Sequence, residues 1–117
     1  MTKPLSSLDE TALMTLVDGD RELAGQLAGL FLEDLEPRVT EITAAVSELD
    51  AKRLHAGAHA LRGSAGSIKA DIVAAAAGVL ETMGRASKLE GVQRALDELT
   101  IAVANLRPRL VALAASV

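Results

Sequence analysis

The strongest constraint on the fold is the spacing of apolar residues near the end of the chain. Aliphatic residues there follow one another at alternating steps of four and three: Val92, Leu96, Leu99, Val103, Leu106, Leu110 and Leu113. This heptad spacing places their side chains along one side of an α-helix, and other helices are needed to cover them. No segment alternates apolar and polar residues as β-strands do. The sequence therefore predicts a helical bundle.

The rest of the chain shows the same helical period. We predict helices over residues 8–17, 20–48, 51–68, 72–86 and 88–114 of a single domain, 1–117. The residues expected to cap their N-termini are Ser7, Asp18 or Asp20, Asp50, Asp71 and Ser87. Pro37 lacks an amide hydrogen, so it should kink the second helix or split it in two. The predicted fold is all-α, an antiparallel up-down four-helix bundle with a short additional N-terminal helix.

Apolar spacing also predicts the face that each helix buries. In the second helix the expected core residues include Leu23, Leu27, Leu30 and Phe31. In the third helix they are Leu54, Ala58, Leu61, Ala65 and Ile68. In the fourth helix they are Ile72, Ala76, Val79, Leu80 and Met83. On this assignment Glu81 lies at the solvated edge of the fourth helix.

The most informative stretch for function lies in the third helix. At about 100° per residue, His59 falls about 140° from the middle of the apolar stripe and faces solvent. Arg62 and Gly63 follow three and four residues later, so they are its neighbours on the helix surface. A glycine inside a helix costs about 0.8–1.0 kcal/mol relative to alanine. Gly63 and Gly66 are therefore best explained by the close approach of another molecule to an exposed imidazole.

This stretch closely resembles the motif H-x-L-K-G-S-A of histidine-containing phosphotransfer (HPt) domains; here it reads His59-Ala60-Leu61-Arg62-Gly63-Ser64-Ala65. The resemblance extends over residues 8–85, with Phe31 upstream and the pair Leu80-Glu81 downstream. The sequence departs from the family pattern at Arg62, where lysine is usual, and at Lys69, where glycine is usual. The second departure puts a left-handed glycine cap in doubt.

The resemblance implies a phosphorelay carrier. His59 would be the phosphoacceptor, with Arg62 and Lys69 neutralising the phosphoryl oxygens and with Gly63 and Gly66 giving access. The expected partners are response-regulator receiver domains and a sensor or hybrid histidine kinase. The chain would need no cofactor of its own, since Mg²⁺ is expected in the partner receiver domain. It would not be an enzyme, because it would have no kinase or phosphatase activity of its own.

Two other interpretations are open to the residues. A non-phosphorylated pseudo-HPt adaptor would bind a receiver or kinase, but it has no need for His59, Arg62 and Gly63 in this register. His55 and His59 have a spacing used in zinc sites, yet no cysteine, third histidine or Glu-x-x-His completes a ligand set, so no metal is expected. His55, Ser64 and Leu13 are instead candidates for a docking surface, and the hydrogen-bond partner of Ser64 stays undecided.

Composition limits the remaining possibilities. A net charge of −4 and a pI of about 5.1 argue against nucleic acid as a partner. No stretch approaches the roughly 20 apolar residues of a membrane span, the N-terminus lacks the apolar run of a signal peptide, and there is no cysteine. We expect a cytoplasmic monomer. Met1 and the short terminal segments favour a stand-alone protein.

Overall fold

The fold consists of five α-helices, seen in a computed structural model that describes residues 5–115. They are α1 (Glu10–Leu16), α2 (Arg21–Ser47), α3 (Ala51–Ser67), α4 (Asp71–Ala86) and α5 (Val92–Ala115). No strand occurs in the described part of the chain, so the predicted all-α class is confirmed. Within residues 5–115, no helix combines the length and apolar character needed to cross a membrane.

The helices enclose one apolar core. Helices α2 and α4 each pack against both α3 and α5, and α1 contacts α2. Every apolar residue that the sequence assigned to the core side of α3 is buried, from Leu54 to Ile68, and so is the whole heptad series of α5. The predicted core faces of α3 and α5 are therefore confirmed. They could be predicted because the apolar residues of each helix form a narrow stripe, with polar residues on the opposite side.

The buried faces of α2 and α4 agree only in part with the predicted ones: Phe31 and Leu80 are buried as predicted. In α4 the buried residues are Val73, Ala77, Leu80, Glu81 and Gly84, whereas Val79 is exposed. In α2 the small residues Ala24 and Ala28 face the core, while Leu23 and Leu30 are exposed. Both segments are apolar on several sides, so their periodicity does not single out one face. Where helices pack closely, as at Ala24 and Ala28, small side chains face the core.

The N-terminal caps were predicted in part. The carboxylate oxygens of Asp20 and Asp50 accept hydrogen bonds from backbone amides three residues later, at 3.0 and 3.1 Å, which confirms both as N-caps. Helix α1 is capped by Asp9 and not by Ser7, so it begins at Glu10. Asp71 is the first residue of α4 rather than its cap. There its negative charge still lies near the positive end of the helix dipole.

The ends of α1 to α4 share an unusual feature, a left-handed residue that is not glycine. These residues are Asp18, Leu49, Lys69 and Ser87, with φ between 52° and 65°. At the end of α3, the amide of Lys69 donates to Gly66 O at 3.1 Å and the amide of Ala70 donates to Ala65 O at 2.8 Å, a Schellman pattern. The left-handed cap, which glycine usually makes, is therefore made by Lys69 itself.

The same feature explains why α5 begins later than predicted. Ser87 is the left-handed C-cap of α4, so it does not cap α5, and α5 begins at Val92 and not at residue 88.

Pro37 lies inside α2, which runs without interruption from Arg21 to Ser47. Splitting of the helix at Pro37 is therefore wrong, and a kink there stays a prediction.

Helices α3 and α4 come into close contact at Gly84. A Cβ atom placed on Gly84 would lie 2.6 Å from the backbone nitrogen of His55 and 2.8 Å from the carbonyl oxygen of Ala51. The backbones of the two helices are thus in direct contact. This contact helps to position the preceding turn of α4, which carries Glu81, relative to His59 on α3.

Candidate functional site

The centre of the site is His59, on the outer surface of α3. Its side chain is 64% exposed, as the helical spacing predicts. Its Nδ1 atom lies 2.5 Å from Oε2 of Glu81 on the neighbouring helix α4. The imidazole is therefore accessible to another molecule on one side and held by the protein on the other.

Glu81 is the buried residue of the site. Only 3% of its side chain is exposed, and its two carboxylate oxygens bind two different residues of α3. Oε2 bonds Nδ1 of His59, and Oε1 lies 3.0 Å from Nε of Arg62. The prediction that Glu81 lies at a solvated edge is wrong, because α4 is rotated so that this position faces α3. A buried carboxylate needs such partners, since an unpaired charge in the interior is costly.

The surroundings of Glu81 favour its ionised form. The hydrogen bond from His59 lowers the pKa of the Glu81 carboxyl below its usual value, and the positive charges of Arg62 and Arg85 act in the same direction. Burial opposes them by raising the pKa of Glu81, but the net direction is downward. Glu81 is therefore a carboxylate at neutral pH.

The ionised carboxylate also decides where the proton of the imidazole resides. A carboxylate can only accept hydrogen bonds, so Nδ1 of a neutral His59 must carry the proton and donate it to Glu81. The carboxylate of Glu81 thus determines the tautomer of the neutral ring, with the proton on Nδ1. The lone pair then belongs to Nε2. In the neutral form of His59, Nε2 is therefore the nitrogen that can act as a nucleophile.

Gly63 and Gly66 leave the surface beside His59 bare. A Cβ atom on either residue would meet no other atom of the described chain within 4 Å. Ser67, one turn beyond Gly63, donates a hydrogen bond from its hydroxyl to Gly63 O at 2.9 Å. No packing within residues 5–115 therefore requires glycine at these two positions, and their expected role in access by a partner stays a prediction.

His55 lies one turn before His59 on α3. Their rings are stacked, with centroids 6.1 Å apart and an angle of 25° between the planes. Among residues 5–115, no group of three or more histidine, cysteine, aspartate or glutamate residues is placed to hold a metal ion. The position of His55 at the edge of the site is compatible with docking, which stays a prediction.

Two other predicted site residues lie away from His59. Ser64 lines a groove of about 260 Å³ between α2 and α3, together with Leu27, Leu30 and Phe31. Lys69 lies ten residues after His59, about 15 Å along a helix, which is farther than a lysine side chain extends. The structure therefore does not bring Lys69 next to the imidazole, and only a long-range effect of its charge stays a prediction.

Leu13 cannot be a docking residue in this structure. Its side chain is only 1% exposed and belongs to the apolar core. The prediction failed because the short helix α1 packs its Leu13 side against the core. The outer side of α1 instead carries Glu10, Thr11 and Thr15, which border an open depression.

Sequence reasoning missed the structural role of Glu81, although a signal for it exists. Val73, Ala77, Leu80, Glu81 and Gly84 recur at steps of four, three, one and three, the pattern of a single helix face. A carboxylate on such a face must have a buried partner. The partner could not be named, because His59 is 22 positions away along the chain.

Comparison with known proteins bears on this arrangement. A family model described as the Hpt domain matches residues 26–109. The fold is similar to the crystal structure of histidine-containing phosphotransfer protein B (HptB) from Pseudomonas aeruginosa PAO1, with a TM-score of 0.88 and 22% sequence identity. The similarity covers 97% of this chain and 99% of that one. No curated protein matches the chain in sequence.

Proposed function

This chain belongs to the Hpt-domain family, and from that premise we propose that it is a phosphorelay carrier that uses His59. The phosphoryl group would come from the aspartyl phosphate of a receiver domain and pass to the aspartate of another receiver domain. The observation that carries this proposal is the hydrogen bond between Nδ1 of His59 and the buried carboxylate of Glu81, which leaves Nε2 as an exposed nucleophile.

The transfer step requires one bond to form and one to break. The lone pair on Nε2 of His59 attacks phosphorus, and the P–O bond to the aspartyl carboxyl breaks with its electron pair leaving as carboxylate. The ring keeps its Nδ1 proton and becomes a positively charged phosphoimidazole. No proton has to move, because the carboxylate of Glu81 already faces that charge. The reverse step passes the group to the next aspartate.

Two residues beside the ring would assist this step. Glu81 is a positioning residue that orients His59 and stabilises the charge that develops on the imidazole. Arg62, half exposed and bonded to the same carboxylate, would bind the phosphoryl oxygens. A guanidinium suits this task because it presents several donors in a fixed plane. Gly63 and Gly66 would let the partner protein close over His59.

The remaining expectations complete the proposal. The partners would be receiver domains and a sensor or hybrid histidine kinase, and the receiver domain would supply its own Mg²⁺. The chain would transfer the phosphoryl group without kinase activity.

We further propose that α2 to α5 run antiparallel, up and down; the packing of neighbouring helices and the short connections 48–50 and 68–70 support this. The monomeric state and the cytoplasmic location stay predictions.

A transfer assay with histidine variants tests the proposal. Purified receiver domains, phosphorylated with acetyl phosphate, are mixed with the wild type, with His59→Gln and with His55→Gln. Glutamine at position 59 retains a side-chain amide donor for Glu81, so the fold should persist. We expect an acid-labile, alkali-stable label on the wild type and on His55→Gln, and none on His59→Gln.

Other results would point elsewhere. Labelling of His59→Gln but not of His55→Gln would identify His55 as the acceptor. Absence of label on every folded variant, across a broad set of receiver domains, would contradict the carrier function and favour the adaptor.

A further inference from the structure

The aliphatic part of the Arg62 side chain, its stem, packs against α4 at Gly78, a residue without a side chain. A Cβ atom placed on Gly78 would lie 3.4 Å from Cδ of Arg62, which is the nearest atom of the described chain. Gly78 and Glu81 are three residues apart on α4 and so lie on one side of that helix. The Arg62 side chain therefore runs over the backbone of Gly78 before its Nε atom reaches Oε1 of Glu81 at 3.0 Å.

In this position the terminal nitrogens of the Arg62 guanidinium remain available for hydrogen bonds. Arginine has five N–H donors, one on Nε and four on its two terminal nitrogens. The Nε atom forms an ion pair with Glu81, while the terminal Nη groups have no hydrogen-bond partner among residues 5–115. The side chain is half exposed, so these four donors can meet a group that arrives from solvent at His59.

A lysine could not make both contacts in this position. Its stem carries a methylene where arginine carries Nε–H, and its three donors sit on one nitrogen atom. A lysine ammonium would either fold back to Glu81 or extend toward the phosphoryl group. The arginine fork can bind Glu81 with one edge and phosphoryl oxygens with the other, provided that its stem lies close to α4.

We propose that Gly78 is a positioning residue for phosphoryl transfer, an inference that rests on the proposed carrier function. Its bare backbone seats the stem of Arg62, so that Nε binds Glu81 while the Nη groups bind the phosphoryl oxygens on His59. A side chain at position 78 lifts the stem from α4 and moves the guanidinium away from both.

The seat itself can be tested without phosphorylation. The exchange with water of the Nε–H proton of Arg62 is measured by NMR in the wild type, Gly78→Ala, Gly78→Leu and Gly29→Leu. Gly29 is a matched control, because it lies inside a helix and a Cβ there meets nothing within 4 Å. We expect slow exchange in the wild type and Gly29→Leu, intermediate exchange in Gly78→Ala and fast exchange in Gly78→Leu. Equal exchange in all four proteins would overturn the proposal.

The consequence for transfer is tested by an equilibrium. A receiver domain that labels the wild type is mixed with each variant, and the ratio of phosphorylated chain to phosphorylated receiver is measured. We expect Gly78→Leu and Arg62→Lys each to lower this ratio about tenfold, the effect of losing one charge-assisted hydrogen bond. Gly29→Leu should leave it unchanged. Combining Gly78→Leu with Arg62→Ala should lower it no further than Arg62→Ala alone.

The outcomes separate the two proposals. If Gly78→Leu lowers the ratio equally in the presence and absence of Arg62, Gly78 does not act through Arg62 and the inference is wrong. If no receiver labels even the wild type, the carrier function fails instead. In that case the Nε–H exchange still decides whether Gly78 seats Arg62.

Discussion

At the scale of the residue, the site depends on one carboxylate that two side chains share. Glu81 holds His59 through one oxygen and Arg62 through the other, and it is itself removed from water. The contact with His59 is a hydrogen bond that the charge of Glu81 strengthens, and the contact with Arg62 is an ion pair. The orientation of the nucleophile and that of the adjacent cation are therefore coupled through a single group.

This coupling predicts a pH dependence of stability. The pKa of Glu81 is lowered in the folded chain from a usual value of 4.5. Stabilisation by this group is thus complete above that usual value and is lost as the pH falls through the lower pKa of the folded state. Glu81→Gln lacks the titration, so its free energy of unfolding should decrease less between pH 5 and pH 3 than that of the wild type.

Urea denaturation of both proteins at a series of pH values measures the difference. The wild type should be the more stable protein near neutral pH, and the two curves should converge in acid. Parallel curves over this range would show that Glu81 titrates equally in the folded and unfolded chains.

The same residue shows what the sequence can and cannot predict about the site. The exposure of His59 and its proximity to Arg62 follow from spacing within one helix, so both could be predicted. The contact with Glu81 joins two helices and depends on the rotation of α4 about its axis. The apolar run around residues 72–80 leaves that rotation undetermined, because alanines on several faces make each side a possible core face.

At the scale of the element, α3 and α4 are held together by backbone contact at Gly84. A side chain there would overlap the backbone of His55 and Ala51, atoms that cannot rotate away as a side chain does. The two helices would have to separate, and the pairs between Glu81 and α3 would lengthen. The close approach therefore supports both the core and the site.

Gly84→Ala should therefore destabilise the fold. We expect a loss of about 1–3 kcal/mol in the free energy of unfolding, the usual range for overpacking, despite the better helix propensity of alanine. Gly66→Ala is the matched control, since a Cβ at Gly66 meets nothing within 4 Å, and it should gain about 0.5–1 kcal/mol. Denaturant titration measures both values, and an equal gain in both variants would disprove the close contact.

Element boundaries were predicted less well than element types. Five helices in the right order follow from local periodicity, which each segment carries by itself. The start of α5 does not, because Ser87 fits two roles: a helix N-cap by its hydroxyl group, and the end of α4 by its left-handed backbone. A serine in the left-handed region leaves no mark in the sequence, whereas a glycine would have marked the end.

At the scale of the whole molecule, the connections share a conformational cost. Asp18, Leu49, Lys69 and Ser87 adopt the left-handed conformation that glycine adopts without strain. Three of these residues end the long helices α2, α3 and α4. The general architecture could be predicted from the heptad spacing of α5, but these strained ends could not, because they depend on how short connections return the chain to the bundle.

Relief of this strain should stabilise the molecule. Leu49→Gly, Lys69→Gly and Ser87→Gly should each raise the free energy of unfolding by about 0.5–1 kcal/mol. The three sites lie in different connections, so their effects should add to about 1.5–3 kcal/mol. Asp18→Gly should gain least, because aspartate tolerates the left-handed region better. Thermal or urea denaturation tests this, and a triple variant no more stable than the wild type would refute the strain.

The shared carboxylate of Glu81 also has a consequence for descent. A lineage that lost His59 would retain a buried negative charge with Arg62 as its remaining partner on α3, which is a burden on folding and not only on signalling. Replacement of Glu81 by an amide or an apolar residue would then be favoured, and return to a phosphate carrier would need two changes instead of one. Because Glu81 is buried, loss of the phosphoacceptor would favour a second substitution at Glu81, and the two substitutions together would be hard to reverse.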